Sequence, residues 1–430
     1  QMRKMIALNL PIVKHYIPRQ DAIDLFQKLG REGKVNLLSA LSKPLISIYT
    51  CENYTDYLYG PMLYETKNLD RFELDYEPFG VLIRTPDERT NGQIRKRVNQ
   101  PKFGSILAES KAWADILDCR FISDLNRINR EQSIGELIRI SEGLQEKRIA
   151  QIADHIASHR EDVRLILIAG PSSSGKTSFA QRLRIQLRVN GLRPVMISLD
   201  DYFLNREDTP LNEKGQYDYE SLDALDTKLF NQDMLALLAG QEVQIPRYNF
   251  ITGMREWKED AFLSIHSDQP IIIEGIHGLN EYLTKDIPRK NKYKIYISAL
   301  TQLNIDAHNR IPTTEVRFLR RLVRDYQFRG AKALKSIRQW PDVRDGEEKY
   351  IFPFQEDADV LFNSALIYEI GVLKKYAVPL LEEIKCGEDG YTEARLILRF
   401  LQYVNEISAI EDIPNNSILR EFIGKSVFFS

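Results

Sequence analysis

Short apolar runs recur in the second half of the chain, and helical stretches separate the earlier ones. The runs are VRLILIA, PVMISL, PIIIEG and KYKIYISAL. Runs that are apolar almost throughout are typical of parallel strands that are buried on both faces. The pattern therefore predicts an α/β domain over residues 161–430, in which helices cover a parallel sheet and further helices follow at the C-terminal end.

The first 130 residues have a different pattern. Helical periodicity in DAIDLFQKLGREGK and SILAESKAWADILDC encloses aromatic, β-rich segments that Gly and Pro interrupt. We expect an α+β domain over residues 1–130. Between residues 131 and 160, apolar side chains recur at helical spacing, which predicts a helical linker between the two domains.

Composition narrows the classes of protein that fit. A net charge of −2 over 430 residues gives no global attraction to nucleic acid or to a membrane surface. Three widely separated cysteines form neither a disulfide framework nor a zinc motif, so we expect a reducing, cytoplasmic setting. No run reaches the roughly 18 apolar residues of a membrane helix. The sequence opens at Gln1 without a signal-peptide pattern, and it is compatible with further residues upstream.

One motif indicates specific chemistry. GPSSSGKT follows the first apolar run and precedes an amphipathic helix, and it matches the phosphate-loop pattern G-x-x-x-x-G-K-[ST]. Its glycines let backbone N–H groups turn toward phosphate, and the helix adds its positive N-terminal end. The lysine can reach the β and γ phosphates, and the threonine hydroxyl can ligate Mg²⁺. We predict that a nucleoside triphosphate binds to Gly170, Pro171, Ser172, Ser173, Ser174, Gly175, Lys176, Thr177 and Ser178.

Acidic residues follow the next two apolar runs. Asp200 and Asp201 come after PVMISL, and Glu274 ends PIIIE. The carboxyl ends of parallel strands face the ligand crevice of such a sheet. A kinase needs one carboxylate near the acceptor hydroxyl and the metal, and at most one of two consecutive aspartates faces inward. We expect Glu274 to act on Mg²⁺ directly or through water, and we interpret the nearby His277 as structural.

A basic face follows in TTEVRFLRRLVRDYQFRG. Four arginines recur at the spacing of one helix face, where like charges repel unless an anion or carboxylates neutralise them. A guanidinium group can bind phosphate with two parallel hydrogen bonds, and it stabilises the charge of a transferring phosphoryl group. The spacing predicts a lid helix over the triphosphate, and the alternative is a solvated basic face balanced by acidic neighbours. The arginines are Arg317, Arg320, Arg321 and Arg324.

Six motifs together resemble the uridine kinase family, which is also similar to phosphoribulokinase. They occur in family order over residues 165–330: GPSSSGKT, SLDDYF, YDYESLDALD, VQIPRYNF, IIIEGIHGL and EVRFLRRLVRDYQFRG. The resemblance implies a P-loop kinase that uses ATP and Mg²⁺. It also implies transfer of the γ-phosphate to the 5′-hydroxyl of a nucleoside.

The resemblance assigns roles residue by residue. Asp200 corresponds to the catalytic base, and it joins Thr177 and Glu274 as a candidate metal ligand. On the acceptor side, the matching positions are Phe203 and Tyr219 beside the nucleoside, Glu220 on the ribose hydroxyls, Tyr248 and Phe250 on the base, and Arg317 as a substrate contact. Lys176, Arg320, Arg321 and Arg324 correspond to the catalytic lysine and the lid arginines.

Two departures affect the acceptor side. The family can have a base-reading His where this chain has Gly253, and Glu220 is one methylene longer than the usual Asp. A buried polar side chain that binds the base can discriminate strongly between substrates. Because Gly253 has no such side chain, the identity of the acceptor is left open. The alternative to a nucleoside is another small hydroxylated acceptor: a sugar phosphate, a polyol or a vitamin precursor.

Residues 1–130 resemble the second additional domain of threonyl-tRNA synthetase. In the bacterial architecture that this chain resembles, a ubiquitin-like TGS domain sometimes precedes that region. Editing chemistry is not expected here, because residues 1–130 contain no H-x-x-x-H motif. An ATP-switched RNA-binding regulator is a further alternative, although such a protein has no evident need for the acceptor-side aromatic residues. Neither a nucleic acid nor a membrane is an expected partner, and a homo-oligomer is left open.

Overall fold

A computed structural model describes residues 1–429 except 59, 61, 78–79, 87–89 and 213–214. The helices of these residues are α1 (Met2–Ala7), α2 (Arg19–Lys28), α3 (Glu32–Ser39), α4 (Pro101–Ile116), α5 (Ile122–Arg130), α6 (Ile134–Ser158), α7 (Lys176–Val189), α8 (Thr227–Leu238), α9 (Thr313–Arg329), α10 (Ala333–Tyr350), α11 (Glu369–Glu382), α12 (Tyr391–Leu401) and α13 (Arg420–Ile423). The strands are β1 (Val13–Pro18), β2 (Leu45–Cys51), β3 (Tyr54–Asp56), β4 (Glu73–Glu77), β5 (Gly80–Arg84), β6 (Leu165–Ala169), β7 (Val195–Ser198), β8 (Val243–Gln244), β9 (Arg247–Asn249), β10 (Met254–Glu256), β11 (Phe262–Leu263), β12 (Ile271–Glu274), β13 (Lys292–Ser298) and β14 (Val360–Asn363).

The central sheet is parallel and has five strands in the order β14-β13-β6-β12-β7. This confirms the predicted α/β fold. Glu274 at the end of β12 is in register with Ser198 at the end of β7 and with Ile168 of β6. The carboxyl ends of these three strands therefore meet at one edge of the sheet, where ligands bind in open α/β sheets.

The middle strand explains why the runs are apolar throughout. Ile166 and Ile168 of β6 point into one core with α6, α7 and α9, whereas Leu165 and Leu167 point into a second core with α8. All four side chains are fully buried. Each contributes about 1.5–3 kcal/mol of burial free energy, so the sequence cannot alternate apolar and polar residues here.

The N-terminal part combines helices with antiparallel strands. β1, β2 and β3 form a three-stranded sheet, and β4 pairs with β5. Phe26 of α2 and Leu37 of α3 belong to the same large core as α6 and α7. Residues 1–130 are thus an α+β region, and the domain boundaries near residues 130 and 160 stay predictions.

α6 is a single helix of 25 residues in the predicted linker. Its buried positions include Ile149, Ile152 and Ile156, and polar side chains occupy much of the remaining surface. No helix in the described part of the chain is long and apolar enough to cross a membrane.

Candidate active site

The phosphate loop connects β6 to α7. Gly175 has φ +84° and directly precedes α7, and Ser173 also has positive φ, at +59°. At Gly170, a Cβ atom would collide with the backbone carbonyl of Ile297 on the neighbouring strand β13. Glycine is required at residue 175 by the left-handed backbone and at residue 170 by this close approach.

Lys176 folds back over this loop. Its Nζ donates to the carbonyl oxygens of Gly170 at 2.9 Å and Pro171 at 3.3 Å. The buried hydroxyls of Ser173 and Ser174 have no hydrogen-bond partner among the residues that the structure describes. Because buried polar groups normally find a partner, the loop offers donors that suit the oxygen atoms of a phosphate.

Carboxylates from two strand ends face this lysine. The Thr177 hydroxyl donates to both carboxylate oxygens of Glu274, at 3.3 Å each. Burial raises the pKa of Glu274 to about 7, although the charge of Lys176 opposes the shift. Asp200 lies in the turn after β7, and its pKa is also raised by the surrounding protein against the influence of Lys176. Asp200 is exposed at the edge of the site, and desolvation of its carboxyl group by the surrounding protein is the main cause of the raised pKa, with a smaller contribution from the charge of Asp201.

Asp201 faces away from the loop. Its carboxylate pairs with Arg247 Nη1 at 3.0 Å and accepts the backbone N–H of Tyr248 at 3.4 Å. Of the two consecutive aspartates, Asp200 is the one whose charge acts on Lys176. Asp201 instead anchors β9, which carries an acceptor-side aromatic residue.

The four aromatic residues named from the sequence form one cluster. Phe203 contacts Tyr219, Tyr248 and Phe250 with ring-centroid distances of 6.0, 5.5 and 6.3 Å. They line a cavity of about 400 Å³ whose wall also includes Arg321. Phe250 is 62% exposed at the mouth of the cavity, whereas Tyr248 is buried. Among the described residues, the Tyr248 hydroxyl has no partner with normal hydrogen-bond geometry. The cavity combines flat apolar walls with the phenolic hydroxyl of Tyr248, which suits a small ring-containing ligand.

Glu220 lies beside this cavity. Its side chain packs against Gly346 of α10, where a Cβ atom would come within 2.8 Å of it. Burial, together with the neighbouring charge of Glu347, raises the pKa of Glu220 to about 7. Arg321 and Lys176 lower the pKa, so Glu220 belongs to the same charged cleft as the loop.

Arg206 occupies the space that Gly253 leaves. A Cβ atom at Gly253 would lie 2.6 Å from the Arg206 guanidinium carbon, and the glycine has φ +73°. The guanidinium donates to the carbonyl oxygen of Phe250 at 3.2 Å and lines the aromatic cavity. Sequence reasoning missed this residue, because no spacing relates residue 206 to residue 253.

The four arginines of α9 have different environments. Arg317 is buried in an ion pair with Glu347, and Arg320 is buried against Glu369 at 2.6 Å. Arg320 also donates to the Ser173 carbonyl oxygen at 3.3 Å, so it braces the phosphate loop from behind.

The other two arginines are nearer the cleft. Arg321 donates to the Ser172 hydroxyl at 3.0 Å, and Arg324 approaches Asp325 at 3.4 Å. Asp325 also pairs with Arg329, whose charge lowers the pKa of Asp200. Sequence spacing gave no sign of Arg329 or of the buried carboxylates Glu347 and Glu369.

Predicted residues from the loop, two strand ends and α9 thus surround one cleft. The fold and this loop define a P-loop phosphotransferase, and the comparisons with known proteins give the family. The phosphoribulokinase / uridine kinase family matches residues 165–369. Uridine kinase of Chloroflexus aurantiacus is 32% identical over 199 residues, which cover 46% of this chain and 85% of that protein. The chain belongs to the phosphoribulokinase / uridine kinase family.

Two further similar proteins have lower sequence identity to this chain. Uridine kinase of Halobacterium salinarum is 28% identical over 218 residues, covering 50% of this chain and 84% of that protein. A solved structure of a possible uridine kinase from Bacillus stearothermophilus is 19% identical and covers 50% of this chain and 98% of that one, with a TM-score of 0.34.

Proposed function

We propose that this protein transfers the γ-phosphate of ATP to the 5′-hydroxyl of a nucleoside. The observation that carries the proposal is the position of Asp200. Its charge acts on Lys176 of the phosphate loop, and the turn that contains it leads directly into Phe203 of the aromatic cavity. This position supports a role for the Asp200 carboxylate between a bound triphosphate and a ring-containing acceptor.

Each side chain has a role in the proposed transfer. Asp200 accepts the proton of the acceptor hydroxyl while the oxygen of that hydroxyl attacks the γ-phosphorus. The bond between the γ-phosphorus and the β–γ bridging oxygen breaks, and ADP is released. Lys176 and Arg321 stabilise the charge on the transferring group, and Arg324 supports them from the same helix. Arg320 acts as a positioning residue, because its guanidinium holds the loop carbonyl of Ser173.

The residues present fit Mg²⁺. The Thr177 hydroxyl and the Glu274 carboxylate lie together, with Asp200 in the same cleft, and hard oxygen ligands are the ones that Mg²⁺ prefers. When bound, Mg²⁺ would neutralise charge on the phosphate oxygens. Thr177, Asp200 and Glu274 are the side chains that we expect to hold it.

The acceptor side supports a nucleoside. Phe203, Tyr219, Tyr248 and Phe250 would enclose the base, and the Glu220 carboxylate would accept hydrogen bonds from ribose hydroxyls. Arg317 would contribute by holding α10 against this wall, because its partner Glu347 lies next to Gly346, which packs on Glu220. Relatives named uridine kinase support the same acceptor class.

A second candidate function is phosphorylation of another small hydroxylated acceptor. The pairing of Arg206 with Gly253 favours it, because a guanidinium only donates hydrogen bonds and carries a permanent charge. A sugar phosphate would suit that charge better than a neutral base would.

The remaining predictions concern the setting of the enzyme. We infer a cytoplasmic location, where ATP is available, and the resemblance of residues 1–130 to a domain of threonyl-tRNA synthetase stays a prediction. A regulator that uses ATP as a switch on RNA is the weakest alternative. It would hydrolyse ATP on addition of tRNA and phosphorylate no small molecule.

An acceptor panel tests the proposal. The purified protein is incubated with ATP, Mg²⁺ and one acceptor at a time: uridine, cytidine, adenosine, a pentose phosphate or glycerol. We expect ADP release to depend on a pyrimidine nucleoside and to match formation of its 5′-monophosphate. ADP release with the pentose phosphate alone would support the second candidate, and release that depends on tRNA alone would support the third.

A further inference from the structure

The C-terminal segment 417–423 packs directly on the phosphate loop. This segment lies beyond residue 369, where the match to the kinase family ends. Ser417, Ile418, Leu419, Arg420, Phe422 and Ile423 are all buried. Glu421 is the one residue of the segment that is not, and its side chain faces the start of α7.

Three contacts fix the segment in place. Ile418 packs so closely on Gly175 that a Cβ atom there would collide with it. The ring of Phe422 lies 5.0 Å from the guanidinium carbon of Arg320, the residue that braces the loop. The Ser417 hydroxyl donates to Glu142 of α6 at 2.5 Å. The segment is therefore a fixed wall of the loop, and Glu421 is held at a defined position.

Glu421 occupies donors that a nucleotide would use. Its Oε2 accepts the Ser178 hydroxyl at 2.7 Å and the Ser178 backbone N–H at 3.3 Å. Ser178 lies in the first turn of α7, where free N–H groups and the helix dipole attract an anion. It is also one of the residues that we expect to hold the triphosphate.

The charge of Glu421 also reaches the rest of the cleft. It raises the pKa of Glu274 and opposes the lowering of the pKa of Lys176. A negative group at this position repels an incoming polyphosphate and competes with it for the same positive end of the helix.

We propose that Glu421 is a built-in competitor for the phosphate site: it holds the Ser178 donors until a nucleotide phosphate displaces it, and so sets the affinity for ATP and ADP. The inference rests on the proposed use of this loop for ATP, and it adds a residue from outside the matched kinase segment. It assigns the C-terminal segment a role in tuning the nucleotide site, in addition to its packing.

Direct binding measurements test this inference. Dissociation constants for ATP, ADP and adenosine are measured by calorimetry for the full chain and for Glu421→Gln and Glu421→Ala. We expect ATP and ADP to bind about 3- to 10-fold more tightly to both variants, the range set by one hydrogen-bonded competitor. Adenosine, which has no phosphate, should bind all three proteins equally.

Matched variants separate competition from a general packing effect. Glu411→Gln changes an exposed glutamate that pairs with Lys425, and it should leave ATP affinity unchanged. In a Ser178→Ala background the gain from Glu421→Gln should shrink, because the shared hydroxyl donor is gone. If Glu421→Ala fails to fold, Glu421→Gln keeps the side-chain size and carries the test alone.

Unchanged or weaker ATP binding in folded Glu421→Gln would overturn the inference. The two proposals fail in different ways. If the unaltered protein phosphorylates no nucleoside but Glu421→Gln binds ATP more tightly, the proposed acceptor is excluded and the role of Glu421 as a competitor is kept. Normal nucleoside phosphorylation by the unaltered protein, with unchanged ATP affinity in Glu421→Gln, would keep the proposed acceptor and exclude Glu421 as a competitor.

Discussion

Single side chains at the carboxyl edge of the sheet have environments that their neighbours in sequence do not share. Asp200 acts on Lys176, while Asp201 pairs with Arg247 and β9. Motif reasoning brought Lys176, Thr177, Asp200 and Glu274 to one cleft, because strand ends and a phosphate loop have fixed relations in this fold. The strand-end position alone left the two aspartates undecided, since the direction of each depends on a turn that only the folded chain defines, whereas the family resemblance assigned the base to Asp200.

Glu220 gives a pH prediction at this scale. Its pKa is raised to about 7, so the carboxyl group is mostly protonated at pH 6 and mostly ionised at pH 8. The ionised form accepts hydrogen bonds with both oxygens, whereas the protonated form uses one oxygen as a donor and is a weaker acceptor. We expect the KM for the acceptor to fall about tenfold between pH 6 and pH 8 at saturating ATP, as the ionised fraction rises.

The matched variant is Glu220→Gln. Its acceptor KM should be nearly independent of pH over the same range. Because Glu274 also titrates near pH 7, the KM for ATP is measured in parallel to separate the two groups. An equally steep acceptor profile in Glu220→Gln would exclude Glu220 as the titrating group.

At the scale of elements, apolar runs predicted the strands that lie inside the sheet. Four runs correspond to β6, β7, β12 and β13. The edge strand β14 was not recognised, because its apolar residues directly follow an acidic stretch. The short strands β8 to β11 carry two or three residues each, which is too short for a periodic pattern of apolar and polar residues to mark them.

α9 shows a similar limit. The spacing of its arginines predicted one basic face, yet burial divides the face between Arg320, which pairs with Glu369, and Arg321, which contacts the loop. The partner of a buried guanidinium comes from residues 30 to 49 positions away along the chain. Helical periodicity contains no information on such a partner.

The two environments predict two different losses. Arg320→Met leaves the Glu369 carboxylate buried without its partner, which should lower the free energy of unfolding by about 3–5 kcal/mol. Arg321→Met should lower kcat by about 10²-fold with little change in stability, the scale expected for one charge-stabilising group. Urea denaturation and steady-state turnover on the same preparations would check both.

The double variant Arg320→Met/Glu369→Met is the control for the buried pair. Removing both charges should recover much of the stability that the single variant loses. A stable Arg320→Met, or a strongly destabilised Arg321→Met, would contradict this division of the helix face.

At the scale of the whole molecule, the N-terminal region is tied to the kinase region by a buried ion network. Lys34 of α3 contacts Asp56 at 3.0 Å and Asp306 at 2.9 Å, and Asp306 lies in the segment between β13 and α9. These side chains are almost fully buried. No sequence pattern indicated this link, since it joins residues more than 250 positions apart.

This network predicts cooperative unfolding. Lys34→Met should lower the free energy of unfolding of the full chain by about 3–5 kcal/mol, because two buried carboxylates lose their ammonium partner. Lys67→Met is the matched control, since Lys67 makes an exposed pair with Glu65 and its loss should change the stability very little. Chemical denaturation followed by tryptophan fluorescence would measure both, and equal losses would contradict the importance of the buried network.

The central claim is that Asp200 accepts the proton of the acceptor hydroxyl, whereas the phosphate loop binds ATP without help from Asp200. Single-turnover phosphorylation of the best acceptor by Asp200→Asn, with ATP affinity measured on the same sample, tests this most directly. We predict a rate at least ~10²-fold lower, the scale of a lost general base, with ATP affinity little changed, while Asp201→Asn keeps most of its rate. A near-normal rate in Asp200→Asn, or a collapse in Asp201→Asn alone, would contradict the account.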